Sequence, residues 1–187
     1  MNRTLKLLVI SDIFVLSGFG MIAPILAIFI NDNLVGGSIF SAGLASTIFL
    51  ITHAGLQLFF SYKFNPKDRL WMLKVGTALI MIVPFGYIFS TSIYHIYIME
   101  FIYGVGAAFA YPTWSSLFTS HLESGKRGFQ YSVYSSGVGV GTALTAAGGA
   151  WLAEKIAFQL VFVLTGVMAL VGLLILFKLN KNVLRKT

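Results

Sequence analysis

An all-α, polytopic membrane protein of six transmembrane helices is the fold class that this sequence predicts, and three observations carry the prediction. Charged residues make up 10% of the chain, whereas a soluble domain carries about 25% and needs them to cover its surface. Six windows of roughly 20 apolar residues, the length that crosses a bilayer as a helix, alternate with connectors too short to form a domain of their own. The basic residues, finally, fall almost entirely on one set of alternate connectors. The whole chain, 1–187, reads as one transmembrane domain.

The first window, 7–30, follows the basic start MNRTLK. Its apolar run is longer than the ~7–15 residues of a secretory signal core, carries Asp12 and lacks a small-x-small cleavage site, so it reads as a retained span. The second window is 39–61, the third 70–90, the fourth 94–118, the fifth 129–153 and the sixth 157–177. Barrel strands of ~10 alternating residues do not fit segments this long and this uniformly apolar. An even number of spans puts both termini on one side. All of the 13 basic residues except Lys155 fall on that side, from Arg3 and Lys6 through Arg69, Lys126 and Arg127 to Lys186. The positive-inside rule then makes both termini cytoplasmic, in an inner (plasma) membrane. The net charge of +7 is accounted for by topology and anionic lipid heads, with no nucleic-acid partner.

The fifth window contains YSSGVGVGTALTAAGGAW. A dinucleotide loop would need a preceding strand and an acidic residue ~20 positions on, and neither is present. Small residues at helical spacing instead allow two membrane helices to approach closely. Gly137, Gly141, Leu144 and Gly148 form one such face, and Tyr131, Ser135, Thr142, Thr145 and Gly149 a second.

Ionisable groups inside spans are costly and mark candidate sites. Asp12 lies about 8 Å into the first span and His53 about 12 Å into the second, with Gln57 one turn nearer the cytoplasm, at 1.5 Å per residue. The three are expected to meet between adjacent helices, an arrangement suited to proton handling; the alternative is an ordinary interhelical contact in which Arg3 or Lys6 answers Asp12. Glu100 enters from the opposite side, on a helical face that continues through Gly104, Ala107, Tyr111 and Trp114-Ser115. It is either a functional acid or an interfacial carboxylate in the aromatic belt of Tyr94 and Tyr97. His95 and His121 fall in connectors. The chain has no cysteine and no HExxH, GxSxG or CxxC motif. SGKRG lacks the remaining positions of a phosphate loop. Neither a catalytic constellation nor a metal or cofactor site is read from the sequence.

The run KRGFQYSVYSSGVGVGTALTAAGGAWLAEKIAFQLVF resembles the fourth loop, fifth helix and start of the sixth helix of the major facilitator superfamily, through Lys126, Arg127, Gly128, Gly148, Gly149, Phe158 and Phe162. The first span resembles the drug-exporter branch through Gly18, Gly20 and Pro24, and the fourth matches through Gly104, Gly106 and Pro112. The resemblance covers the chain as the N-terminal half of a family member. It implies two inverted three-helix repeats, echoed in G-F-G with Pro24 and G-V-G with Pro112, although membrane helices use glycine and proline in this way generally. It further implies a secondary transporter of a small molecule, ion- or proton-coupled, with Glu100, Tyr103, Tyr111 and Trp114 contacting substrate in a central cavity. The acid would favour a cationic substrate or carry a coupling proton. Such a half is completed by a second copy as a homodimer or by a separate six-helix half; a non-transporting assembly module and a fragment of a twelve-helix transporter are the alternatives. The chain departs from the family at Phe60 and Phe64, where a loop Gly and Asp are usual, at Glu100, close to the usual place of an embedded Arg, and at Leu144-Thr145, where proton antiporters have Gly-Pro.

Overall fold

The computed structural model describes residues 1–64 and 70–179. Seven helices form among them: α1 (Arg3–Ile22), α2 (Leu26–Asn33), α3 (Ile39–Lys63), α4 (Leu70–Ile88), α5 (Ile93–Ser120), α6 (Arg127–Lys155) and α7 (Phe158–Phe177). Together α1 and α2 make one interrupted rod, Arg3–Asn33, so the seven helices build six rods. The described part of the chain is all-helical apart from a single isolated bridge between Val35 and Ser92.

The interruption falls at Ala23–Ile25, around Pro24. Proline has no N–H to give to the turn before it, and the chain tightens there, Ile25 N–H donating to the Ile22 carbonyl at 3.0 Å. Pro112, its counterpart in the G-V-G echo, leaves α5 continuous. The hydroxyl of neighbouring Thr113 donates to the Phe109 carbonyl at 3.0 Å, one residue along from the Ala108 carbonyl that Pro112 leaves without its helical donor. Pro84 likewise lies within an unbroken α4.

Five of the rods are both long and apolar enough to cross a membrane: Arg3–Asn33, α3, α4, α5 and α7. The sixth, α6, is 29 residues long, but glycine, serine and threonine dilute its apolarity. What holds it is close packing on α1. A Cβ on Gly137 would lie 2.7 Å from Ile13, one on Gly149 would lie 2.7 Å from the Met21 carbonyl oxygen, and one on Gly141 would run into Ser17. Thr145, where antiporters have proline, donates its hydroxyl to the Ser17 carbonyl of α1 at 2.6 Å. Gly148, expected to share the packing face, points into open space. The reason is angular: Gly149, its neighbour about 100° around the helix, takes the contact with α1.

The principal packing pairs are α1 with α6 and α7, α5 with α3 and α4, and α4 with α7. Exchanging the first three rods for the last three leaves this set unchanged, which is the pattern of two inverted three-helix repeats. At the α4–α5 crossing, a Cβ on Gly76 would lie 2.5 Å from the Gly106 carbonyl oxygen, so the backbones touch. Across the α1–α7 crossing, the Thr165 hydroxyl donates to the Gly18 carbonyl and the Ser11 hydroxyl to the Gly172 carbonyl, at 2.9 and 2.8 Å. Hydrogen bonds of this kind join membrane helices where hydrophobic burial offers little driving force.

The ends are capped by short polar side chains. Asn2 caps α1, Ser38 and Ser41 form a reciprocal capping box on α3, and Ser92 caps α5. At the end of the bundle far from the termini, Val35 N–H donates to the Thr91 carbonyl and Ile93 N–H to the Val35 carbonyl, both at 3.1 Å. The turn leading out of this bridge uses Gly36 at φ +76, a backbone region that L side chains rarely adopt. At the termini end, Glu123 in the α5–α6 connector accepts from the Met1 amino group at 2.9 Å, which holds its carboxyl below the ordinary glutamate range.

Candidate functional site

Glu100 stands on the second turn of α5 with its side chain directed into the protein, 4% exposed. Tyr87, the penultimate residue of α4 and 1% exposed, donates its hydroxyl to Glu100 Oε1 at 2.7 Å. The pair forms the floor of a cavity of about 500 Å³ in the far half of the bundle. Its walls come from the α1–α2 rod (Phe19, Ala23, Ile30) and from α3 (Gly43, Ser46, Phe49), with Tyr103 closing its inner end. The lining is apolar and aromatic, and the polar groups gather at one place, as in sites that bind an organic molecule by its bulk and orient it by one end.

Asp12 lies in the other half of the bundle. Tyr134 of α6 donates its hydroxyl to Asp12 Oδ2 at 2.6 Å. A second cavity, of about 300 Å³, opens beside them and is lined by Asp12, Leu16, Tyr111, Trp114, Ser115 and Tyr134. Trp114 is held by its indole N–H, which donates to the Leu8 carbonyl at 3.3 Å, and by stacking against Phe118 at 4.7 Å. It packs on Tyr134 at the same centroid distance.

Between the two cavities lies a layer of rings. Tyr103 is sandwiched by Phe19 at 4.7 Å and Phe49 at 4.3 Å. His53 stacks on Phe49 at 5.8 Å and meets Tyr111 edge-on at 5.2 Å. The layer thus draws one ring from α1, two from α3 and two from α5.

The expected trio of Asp12, His53 and Gln57 is not assembled. Although the first and second spans are adjacent in sequence, α5 comes between α1 and α3 at this depth, and Tyr111 stands where His53 was expected. Asp12 is answered by Tyr134, and among the described residues neither Asp12 nor Glu100 has an ion pair with a lysine or arginine. Gln57 is half-buried and lines neither cavity. The expected single substrate group divides in two: Glu100 and Tyr103 face the far cavity, Tyr111 and Trp114 the one nearer the termini. Lys126 precedes α6 without a side-chain cap and Arg127 begins it, both exposed. Arg69 lies outside the described residues. The residues that sequence reasoning passed over are Tyr87 and Tyr134, each on a different helix from the acid it bonds, and Phe19 and Phe49, which stack on Tyr103. Among the described residues no three His, Asp or Glu side chains gather as a metal site would require.

A six-rod membrane bundle with an acid-bearing cavity toward each end has the build of a transport protein. A family model described as the Major Facilitator Superfamily matches residues 8–186. The match extends over nearly the whole sequence, and the chain belongs to that superfamily, whose members are multi-pass membrane transporters of small molecules rather than enzymes. No curated protein matches the chain.

Proposed function

We propose that the chain is a single six-span domain, with α6 as the fifth span, that works as half of a secondary transporter in the inner (plasma) membrane with both termini cytoplasmic. The observation that carries this reading is the pair of cavities, each holding a carboxyl group and closed from the other by stacked rings. Alternating access to a central pathway needs such a barrier. The substrate is a small molecule with an apolar body and a cationic or hydrogen-donating end, held at Glu100 and moved outward in exchange for an ion. At 1.5 Å per residue α6 is about 43 Å long, enough to span a bilayer despite its glycines.

The half is completed by a second copy or by another six-helix half. Support comes from α3 and α6, which flank the open side of the packing order and do not pack on one another. A Cβ on Gly43, Gly55, Gly139 or Gly148 would meet nothing within 4 Å, which leaves room for partner helices at close range.

The test is flux in proteoliposomes with a panel of organic cations and an imposed pH gradient. Wild type moves at least one of them and Glu100→Gln abolishes that movement. Wild-type vesicles with no substrate-dependent flux would defeat the transport reading and leave a membrane assembly role.

A further inference from the structure

The packing order runs α3, α5, α4, α7, α1, α6, so the α4–α7 pair lies in its middle, away from the open side. A partner half docked on α3 and α6 leaves this pair to the lipid. Each of the two helices carries exposed apolar residues at helical spacing, Val75 and Ile82 on α4, Leu170 and Leu174 on α7. At the termini end the chemistry changes. Lys74, half-buried on α4, places its ammonium 4.9 Å from the centre of the Phe177 ring and donates to the Leu179 carbonyl at 3.4 Å. Phe177 is itself largely exposed, and so is the next residue, Lys178.

Capping of α7 explains part of this arrangement, because an ammonium is favoured at the negative end of a helix. It does not explain the charge balance. An ammonium has three donors, and Lys74 makes one hydrogen bond, longer than the roughly 2.7–3.2 Å usual for N–H···O. Among the described residues no carboxylate pairs with Lys74 or Lys178. The sequence that follows, 180–187, adds Lys181, Arg185 and Lys186 and no acid. Two cations thus share the end of an apolar groove with no anion of the chain to answer them.

We infer that the termini end of the α4–α7 groove binds an anionic phospholipid, its phosphate held by Lys74 and Lys178 and an acyl chain laid along the groove. Depth agrees with this. Lys74 is four residues past the start of α4, about 6 Å at 1.5 Å per residue, and the headgroup layer occupies about 5–8 Å on each side of the hydrocarbon. The lysine stem lies along apolar surface while its ammonium reaches the headgroup level. The exposed Phe177 ring seats the upper part of the chain. Free phosphate could answer the charges, but it would leave the groove beneath them unused.

The test needs no transported substrate, so it stands or falls apart from the transport reading. The full chain in neutral detergent micelles is titrated with phosphatidylglycerol or with phosphatidylcholine of the same acyl chains, and retained lipid is counted by native mass spectrometry. Wild type retains phosphatidylglycerol in preference. Lys74→Gln and Lys178→Gln each lower that preference about 5-fold, the scale for one basic side chain at an anionic surface. Lys74→Arg keeps it, and so does Lys63→Gln, which removes the same charge from the exposed end of α3. Circular dichroism checks that each variant folds. Equal retention of the two lipids by wild type overturns the site, as does an equal loss in Lys63→Gln. Lys74→Gln that is less stable but retains lipid as wild type does would reduce Lys74 to a cap of α7. Displacement of the lipid by millimolar inorganic phosphate would replace the lipid with a free anion.

Discussion

Glu100 shows how much one hydroxyl decides at the scale of a residue. A buried carboxyl keeps its place because the Tyr87 hydroxyl satisfies it, and removing one partner leaves the other to bear its desolvation. Tyr87→Phe is therefore expected to lower stability by about 1–3 kcal/mol, measured by unfolding in detergent micelles. The double variant Tyr87→Phe/Glu100→Leu should recover most of that loss, because an apolar pair needs no partner. A double variant no more stable than Tyr87→Phe would show that the pair is not the source of the effect. That Glu100 is special was legible in the sequence, since a carboxyl within an apolar window has to be explained. Its partner was not, because Tyr87 lies on another helix and a tyrosine near the end of a span reads as membrane-belt usage. The same holds for Asp12: the residue stands out in sequence, and Tyr134 is 122 positions away.

At the scale of helices, hydropathy finds rods well because the bilayer imposes their length. The windows and the observed helices differ by only a few residues at their ends. Proline is read less well. Pro24 breaks its rod while Pro84 and Pro112 do not, since the outcome depends on how the surrounding helices hold the backbone on either side of the ring. Glycine faces are also only half legible. Spacing identifies Gly137 and Gly141 as contacts but cannot tell which side of α6 α1 will occupy, and so includes Gly148 among them. The crossing of α4 and α5 supplies a sharper test. A side chain at Gly106 must displace the Gly76 carbonyl, 2.9 Å from the position of its Cβ. Gly106→Val should cost about 1–3 kcal/mol through overpacking, whereas Gly148→Ala, which meets no neighbour, should not destabilise the isolated chain and should raise its stability by up to about 1 kcal/mol through helix propensity. Equal effects in the same unfolding measurement would contradict the assigned contacts.

At the scale of the molecule, the fold class follows from composition and basic-residue placement, but the order in which the rods pack does not, because lipid-facing and helix-facing surfaces are both apolar. The open side between α3 and α6 emerges only from that order. The chain contains no cysteine, so single cysteines can be placed on that side without removing others. Gly139→Cys is expected to give a disulfide-linked dimer on mild oxidation in membranes if two copies pair, while a cysteine at Val167, exposed on α7, should not. A cross-link at Val167 alone, or at neither position with only monomer found in the membrane, would remove the two-copy arrangement.

The bridge at Val35 has a further consequence. It ties the end of α2 to the start of α5 through main-chain atoms alone, while the Val35 side chain is 77% exposed. The spacing between one wall of the far cavity and the helix that carries its acid is thus set by a strut that does not register side-chain identity. Almost any residue at position 35 preserves it, and proline, with no N–H to give to Thr91, removes half of it. The distance from α2 to α5 is therefore held by a contact that tolerates substitution, and the chemistry lining the cavity can change without that frame having to be rebuilt.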